Sequence, residues 1–166
     1  MTTLITEYLE LRPLPEADIP RLWKVYQGTP LYFDGLGMHV EQLNLEHVRQ
    51  QWQTAQQQAG RMLFGIYHTV TGLLIGAADV QLDTPRQGTG AIWLLIWGGF
   101  QRQGYGQECM AALEHWLLTE QGMTTLCAIA SANEEGMSFL ELQGFQRSDV
   151  PAPTPLGRGT SFWMCW

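Results

Sequence analysis

Positive charge is scarce in this chain. Nine lysines and arginines stand against sixteen acidic residues, a net charge of −7, and Lys24 is the single lysine. A nucleic-acid partner needs a net basic face, so that class is disfavoured. A cationic small partner is compatible with the charge, and so is plain solubility. Cysteine is nearly as sparse. Cys109, Cys127 and Cys165 are scattered and odd in number, and make neither a metal-ligand spacing nor a disulfide framework. They read as small core hydrophobes in a reducing cytoplasm. No apolar run reaches the ~18 residues of a membrane span, so no membrane association is expected. Met1-Thr2-Thr3-Leu4 has no basic region before an apolar stretch, so no secretory signal is expected either.

What is present is globular. The 166 residues are near the size of one typical domain, and a hydrophobic content of 45% excludes disorder. Residues 7–14 alternate like a strand stopped by proline, and Pro15-Glu16-Ala17-Asp18 opens a helix that Gly28 and Pro30 end. Residues 31–39 carry aromatics without a period, which fits a loop or a broken helix. Residues 40–59 have helical spacing at Leu45, Val48, Trp52 and Ala55, with a glutamine-rich outer face. Strands follow at 61–69 and 73–82, then a third, nearly all-apolar strand at 91–97 that should be central and covered on both faces. A long helix at 106–121, a buried strand at 124–130, a short helix at 134–142 and a last strand at 160–166 complete the order. The pattern predicts one α/β domain over residues 1–166 with a mixed sheet.

The segment most able to carry chemistry is Gln101-Arg102-Gln103-Gly104-Tyr105-Gly106, between a buried strand and a helix. Glycines let a ligand approach the backbone, and a helix start offers free N–H groups and a positive dipole end. Together these can cradle a phosphate. An ordinary strand-to-helix turn uses the same glycines, so the hexapeptide alone leaves both readings open. It is neither a Walker loop nor a dinucleotide fingerprint.

At this point the chain resembles the GNAT acyl-coenzyme A N-acyltransferases. Gln101, Gly104 and Gly106 match that family's Q/R-x-x-G-x-G/A loop. Asn133 stands at the family's asparagine before the last helix, and Gly144-Phe145 matches the Gly-Phe that ends it. Residues 7–14 resemble the opening of the branch holding ribosomal-protein N-terminal acetyltransferases and small-amine acetylases, and Gly104-Tyr105-Gly106-Gln107-Glu108 is similar to that branch's G-Y-A-T-E. The resemblance implies a single GNAT domain with six to seven strands, about four helices, and two parallel strands splayed around the acyl-coenzyme A site. It implies that loop amides of Gln101, Arg102, Gln103, Gly104, Tyr105 and Gly106 hold the pyrophosphate. It further implies that backbone groups of Leu95, Ile96 and Trp97 pair with pantetheine, with Asn133 and Phe139 also on the cofactor. Acetyl-coenzyme A is then the cosubstrate, no metal is needed, and a homodimer is common in such proteins.

Catalytic groups are less legible. The family's usual tyrosine acid, four residues before Gly144, is replaced by Leu140, and the branch's serine position holds Gly136, with Ser138 two residues on. A thiolate of pKa ~8.5 can take its proton from water. Candidate bases are Asp79, which faces either the cleft or solvent at a sheet edge, and Glu108, which could equally serve the helix dipole. His39 and His68 are weaker candidates, and Trp93 and Trp97 shape a pocket, accept a cation or simply pack. Loops at 31–39, 84–90 and 150–159 are expected to line the acceptor site. The leading expectation is an N-acetyltransferase acting on a primary amine, a protein N-terminus or a small molecule, by direct attack. The rivals are a non-catalytic acyl-coenzyme A-binding or regulatory module on the same fold, and an unrelated nucleotide-binding domain.

Overall fold

The computed structural model describes residues 2–166. Its centre is one eight-stranded sheet in the order β1-β2-β3-β4-β5-β6-β8-β7. The principal strands are β2 (Leu9–Pro13), β3 (Arg61–His68), β4 (Leu74–Gln81), β5 (Thr89–Ile96), β6 (Thr125–Ala130) and β8 (Ser161–Cys165). Two-residue strands, β1 (Leu4–Ile5) and β7 (Pro151–Ala152), cap the two edges and raise the count above the expected six to seven. Short length at both edges, and Pro151 in β7, keep those edges from templating further pairing.

Every neighbouring pair is antiparallel except β5 with β6. A parallel pair needs a long crossover, and α4 (Tyr105–Thr119) supplies it. Helices α1 (Ile19–Gln27), α2 (Pro30–Gly35) and α3 (Leu45–Gln57) cover one face, packing on Trp93, Leu95 and Ile129. Helices α4 and α5 (Glu134–Leu142) cover the other, packing on Ile92, Ile96 and Ala128. β5 is therefore covered on both faces, as its unbroken apolar run requires.

Of the two readings for residues 31–39, the broken helix is the one found: a short helix over residues 30–35, with Pro30 at its first position, where a missing N–H costs nothing, gives way to irregular chain. One expectation is corrected here. Cys127 and Cys165 are joined in a disulfide, not left as separate core hydrophobes. They sit opposite each other on β6 and β8, a juxtaposition across 38 residues of sequence that only the sheet creates. Cys109 is free and buried, and burial pushes its thiol well above the usual range.

Candidate active site

The parallel pair separates partway along. β5 and β6 are in register from Thr89↔Thr125 to Ile92↔Ala128, and pairing stops there although both strands continue, to Ile96 and Ala130. The opening is a cavity of about 560 Å³ that draws its lining from both faces of the sheet. Ile92, Ile96, Met110, Phe139 and Leu140 come from the α4–α5 face, and Thr29, Tyr32 and Leu95 from the α1–α2 face. The cavity therefore passes through the sheet where the strands part.

At one mouth lies the start of α4. Gly104 is its N-cap, at φ 84°, and gives no side-chain cap. The first intrahelical bond runs from Glu108 N–H to the Gly104 carbonyl at 3.1 Å, so the N–H groups of Tyr105, Gly106 and Gln107 have no helical partner. A Cβ on Gly104 would meet nothing within 4 Å, whereas one on Gly106 would press on Phe139 at 3.2 Å. The first glycine leaves an approach open to a ligand, and the second lets α4 lie close to α5. Arg102, at φ 63°, makes a two-pronged ion pair with Glu135 at 2.8 and 2.9 Å that ties the loop to α5 across the rim. The Arg102 guanidinium holds the Glu135 carboxyl below its usual range. Glu135 is the one carboxylate among the described residues that line the cavity.

The strand before the loop has a defined direction. The Trp97 N–H donates to the Ile75 carbonyl at 2.7 Å. Hydrogen-bonded pairs alternate along an antiparallel ladder, so Leu95, opposite Ala77, also turns its N–H and C=O toward β4. Leu94 and Ile96 turn theirs toward the opening. The Ile96 carbonyl accepts from Gln101 Nε2 at 2.8 Å, which anchors the loop to the strand. This corrects the expectation for Leu95 and Trp97: their backbones are engaged with β4, and the groups free to pair with an arm in the opening are the N–H and C=O of Leu94 and the N–H of Ile96.

The remaining site candidates divide. Side chains or backbone of Leu95, Ile96, Gln101, Arg102, Gly104, Gly106, Asn133 and Phe139 reach the cavity, while Trp97, Gln103 and Tyr105 do not line it. Trp97 packs its indole against Gly28, where a Cβ would fall 2.1 Å from its Nε1. Tyr105 lies edge-on to His68, and the Gln103 side chain turns back to the Gly99 carbonyl at 3.4 Å. Asn133 caps α5, its Oδ1 accepting from Gly136 N–H at 2.8 Å, and its Nδ2 donates to the Leu31 carbonyl at 3.3 Å. Asn133→Ala should cost about 1 kcal/mol for the lost cap, a fall of roughly 2–4 °C in Tm for a chain of this size. Thermal melts with and without coenzyme A check this.

None of the candidate acids and bases reaches the cavity. Asp79 is fully buried on the central strand β4, neither in the cleft nor at a sheet edge. Arg61 grips it with two N–H groups at 2.8 and 2.6 Å, and Gln51 from α3 donates at 3.1 Å. Burial pushes its carboxyl up, and Arg61 and Gln51 pull it back. Asp83 lies past the end of β4 and accepts from Gly88 N–H at 2.8 Å. Glu108 accepts from Thr6 Oγ1 and, at 2.8 Å, from Tyr8 N–H, so it fastens the N-terminal strand to α4. Ser138 donates to Glu134 at 3.3 Å on the outer side of α5, beside Arg147. His39 is exposed near Asp34. The 84–90 turn sits at the far end of β5, bonded to Thr124, and residues 154–158 line a separate polar groove with Gln51 and Arg61. Of the expected loops only Leu31 and Tyr32 reach the cavity.

Tyr32 falls in the 31–39 stretch expected to line the acceptor site, but sequence reasoning gave its side chain no role. Its hydroxyl accepts from the indole N–H of buried Trp93, and the rings meet edge to face at 5.8 Å.

The family model for an acetyltransferase (GNAT) domain matches residues 8–146. An acetyltransferase from Thermus thermophilus has a similar structure, with 26% identity, a TM-score of 0.75 and 99% of each chain covered. An acetyltransferase from Agrobacterium tumefaciens has 23% identity and a TM-score of 0.73, covering 100% of this chain and 94% of its own. A ribosomal-protein alanine acetyltransferase from Vibrio fischeri has 11% identity and a TM-score of 0.68, covering 100% of this chain and 96% of its own. The last two likenesses speak for the fold alone. No curated protein matches the chain.

Proposed function

The chain belongs to the GNAT acetyltransferase family, and on that premise we propose that it moves an acetyl group from acetyl-coenzyme A to a primary amine by direct attack. The observation that carries the reading is the through-sheet cavity with free helix-start donors at one mouth. Main-chain N–H groups of Tyr105, Gly106 and Gln107 hold the pyrophosphate, where the helix dipole favours an anion. The pantetheine arm lies in the opening against the Leu94 and Ile96 backbones, and the apolar lining dries it. The amine reaches the thioester from the α1–α2 side.

Among the described residues that line the cavity there is no histidine, and the one carboxylate, Glu135, is held by Arg102, so none is free to strip a proton from an ammonium. The acceptor therefore attacks as the small neutral fraction that solution pH provides, about 7.7–8.0 being the pKa of a peptide α-amine and ~10.4 that of a lysine. The rate is expected to rise with pH along the acceptor's own titration. Leu140, at the position of the family's usual acid, lines the cavity and has no proton to give. The thiolate is a fair leaving group and takes its proton from water, so the profile should lack a falling alkaline limb. A bell-shaped profile would contradict this.

Leu140 and Gly136 also support a second reading, a non-catalytic acyl-coenzyme A-binding module. Thiol release from acetyl-coenzyme A, assayed with a peptide α-amine, an amino acid, a polyamine and an aminoglycoside, separates the two. Turnover with any of them sinks the module, and tight binding without turnover across the panel favours it.

A further inference from the structure

We propose that the Tyr32 hydroxyl is the hydrogen-bond donor that polarises the carbonyl of the bound thioester. This rests on the acyl-transfer reading above and assigns one of its working groups. Three observations converge on Tyr32.

The first is its place. Pairing of β5 with β6 ends at Ile92↔Ala128, so Trp93 is the first residue of β5 beyond the last pair. Tyr32 sits on that residue and lines the cavity. An arm anchored at the start of α4 and running back past Ile96 toward Trp93 covers three residues of strand, ~10 Å at ~3.3 Å per residue. Its acyl end then arrives where the strands part.

The second is the state of the hydroxyl. An indole N–H can only donate, so the bond from Trp93 uses an oxygen lone pair of Tyr32 and leaves the phenolic proton free. Burial raises the hydroxyl above the ordinary tyrosine range, so it stays protonated and suits a donor that keeps its proton.

The third is rigidity. The helix carrying Tyr32 is tied to the connection between β6 and α5 by two bonds. Ala132 N–H donates to the Gly35 carbonyl at 3.0 Å, and Asn133 Nδ2 to the Leu31 carbonyl at 3.3 Å. Trp93 on β5 holds the ring from the other side. A donor fixed before substrate arrives stabilises developing charge without reorganising.

The step balances without an added reagent. The amine lone pair forms the new C–N bond while the carbonyl pair moves onto oxygen, which accepts from the Tyr32 O–H. The nitrogen sheds a proton to water. The oxygen pair then returns, the C–S bond breaks, and the thiolate leaves with its electron pair and takes a proton from water. Tyr32 keeps its own proton throughout.

The test needs no known acceptor. Acetyl-coenzyme A carrying carbon-13 at the thioester carbonyl is bound to the wild-type protein and to Tyr32→Phe, and the carbonyl stretch is read by isotope-edited infrared spectroscopy. Phenylalanine keeps the ring on Trp93 and Phe33, and calorimetry on the same samples reports affinity. The stretch is expected at lower frequency in the wild type, returning upward in Tyr32→Phe, with affinity for acetyl-coenzyme A lowered about five-fold, as the loss of one hydrogen bond gives, and affinity for free coenzyme A unchanged. With any acceptor that turns over, kcat should fall about 100-fold, as for other lost oxyanion donors, with the pH profile unchanged in shape. Bound acetyl-coenzyme A with the same carbonyl frequency in both proteins overturns the role of Tyr32 and leaves acyl transfer standing. Failure of the wild type to bind acetyl-coenzyme A overturns the function reading and this assignment with it.

Discussion

Gly104→Asp is expected to weaken coenzyme A binding by roughly 30–150-fold while the protein stays folded. Gly104 is an N-cap, and aspartate is a favoured N-cap residue that also tolerates the left-handed backbone better than most. A Cβ there meets no atom within 4 Å, so the change brings about 1–2 kcal/mol of left-handed backbone strain but no clash, which the fold tolerates. The new carboxylate would satisfy the helix-start donors itself and put a negative charge where the pyrophosphate should lie. At ~4 Å and an effective dielectric of 20 the repulsion is about 4 kcal/mol. Solvent at this exposed mouth reduces it to about 2–3 kcal/mol. Gly104→Asn, with the same shape and no charge, should lose far less. Calorimetry on the three proteins checks both; equal loss in Asp and Asn would make the effect steric and move the anion elsewhere.

Asp79→Ala should be the most damaging single change to stability. The carboxylate is fully buried and the Arg61 side chain is only 6% exposed. Removing one member leaves a buried cation without a partner, at a cost of about 3–5 kcal/mol. For a chain of this size that lowers Tm by on the order of 10 °C. Replacing both members with apolar residues of similar volume, Asp79→Leu with Arg61→Met, should recover much of the loss, because the charge no longer needs desolvating. Thermal melts measure both, and coenzyme A affinity of the folded fraction should be unchanged. An Asp79→Ala protein that melts like the wild type but has lost turnover would return Asp79 to the list of bases.

The loop and its flanks were legible because their signals are local. An apolar run, two glycines and a helix start lie within 20 residues, and each has a fixed backbone meaning. Asp79 shows where that legibility ends. Alternation along β4 gives the side of the sheet, but not that Gln51 and Arg61, from α3 and β3, would cover it. Leu95 and Trp97 make the same point for the backbone. The apolar run located the strand, yet which residues face the opening depends on its register with β4. Tyr32 was hidden more deeply. It lies on a six-residue helix with no period to detect, and its partner Trp93 is 61 residues away. The Cys127–Cys165 disulfide depends in the same way on β6 and β8 becoming neighbours.

The central claim is that an acyl-coenzyme A lies through the sheet where β5 and β6 part. A crystal structure of the protein with coenzyme A tests it most directly. The account predicts pyrophosphate density on the N–H groups of Tyr105, Gly106 and Gln107, an arm bonded to the Leu94 and Ile96 backbones, and the sulfur beside Tyr32. Coenzyme A bound in the groove around Arg61 and residues 154–158, or on the outer surface of α4, with the opening between the strands left to water, would contradict it.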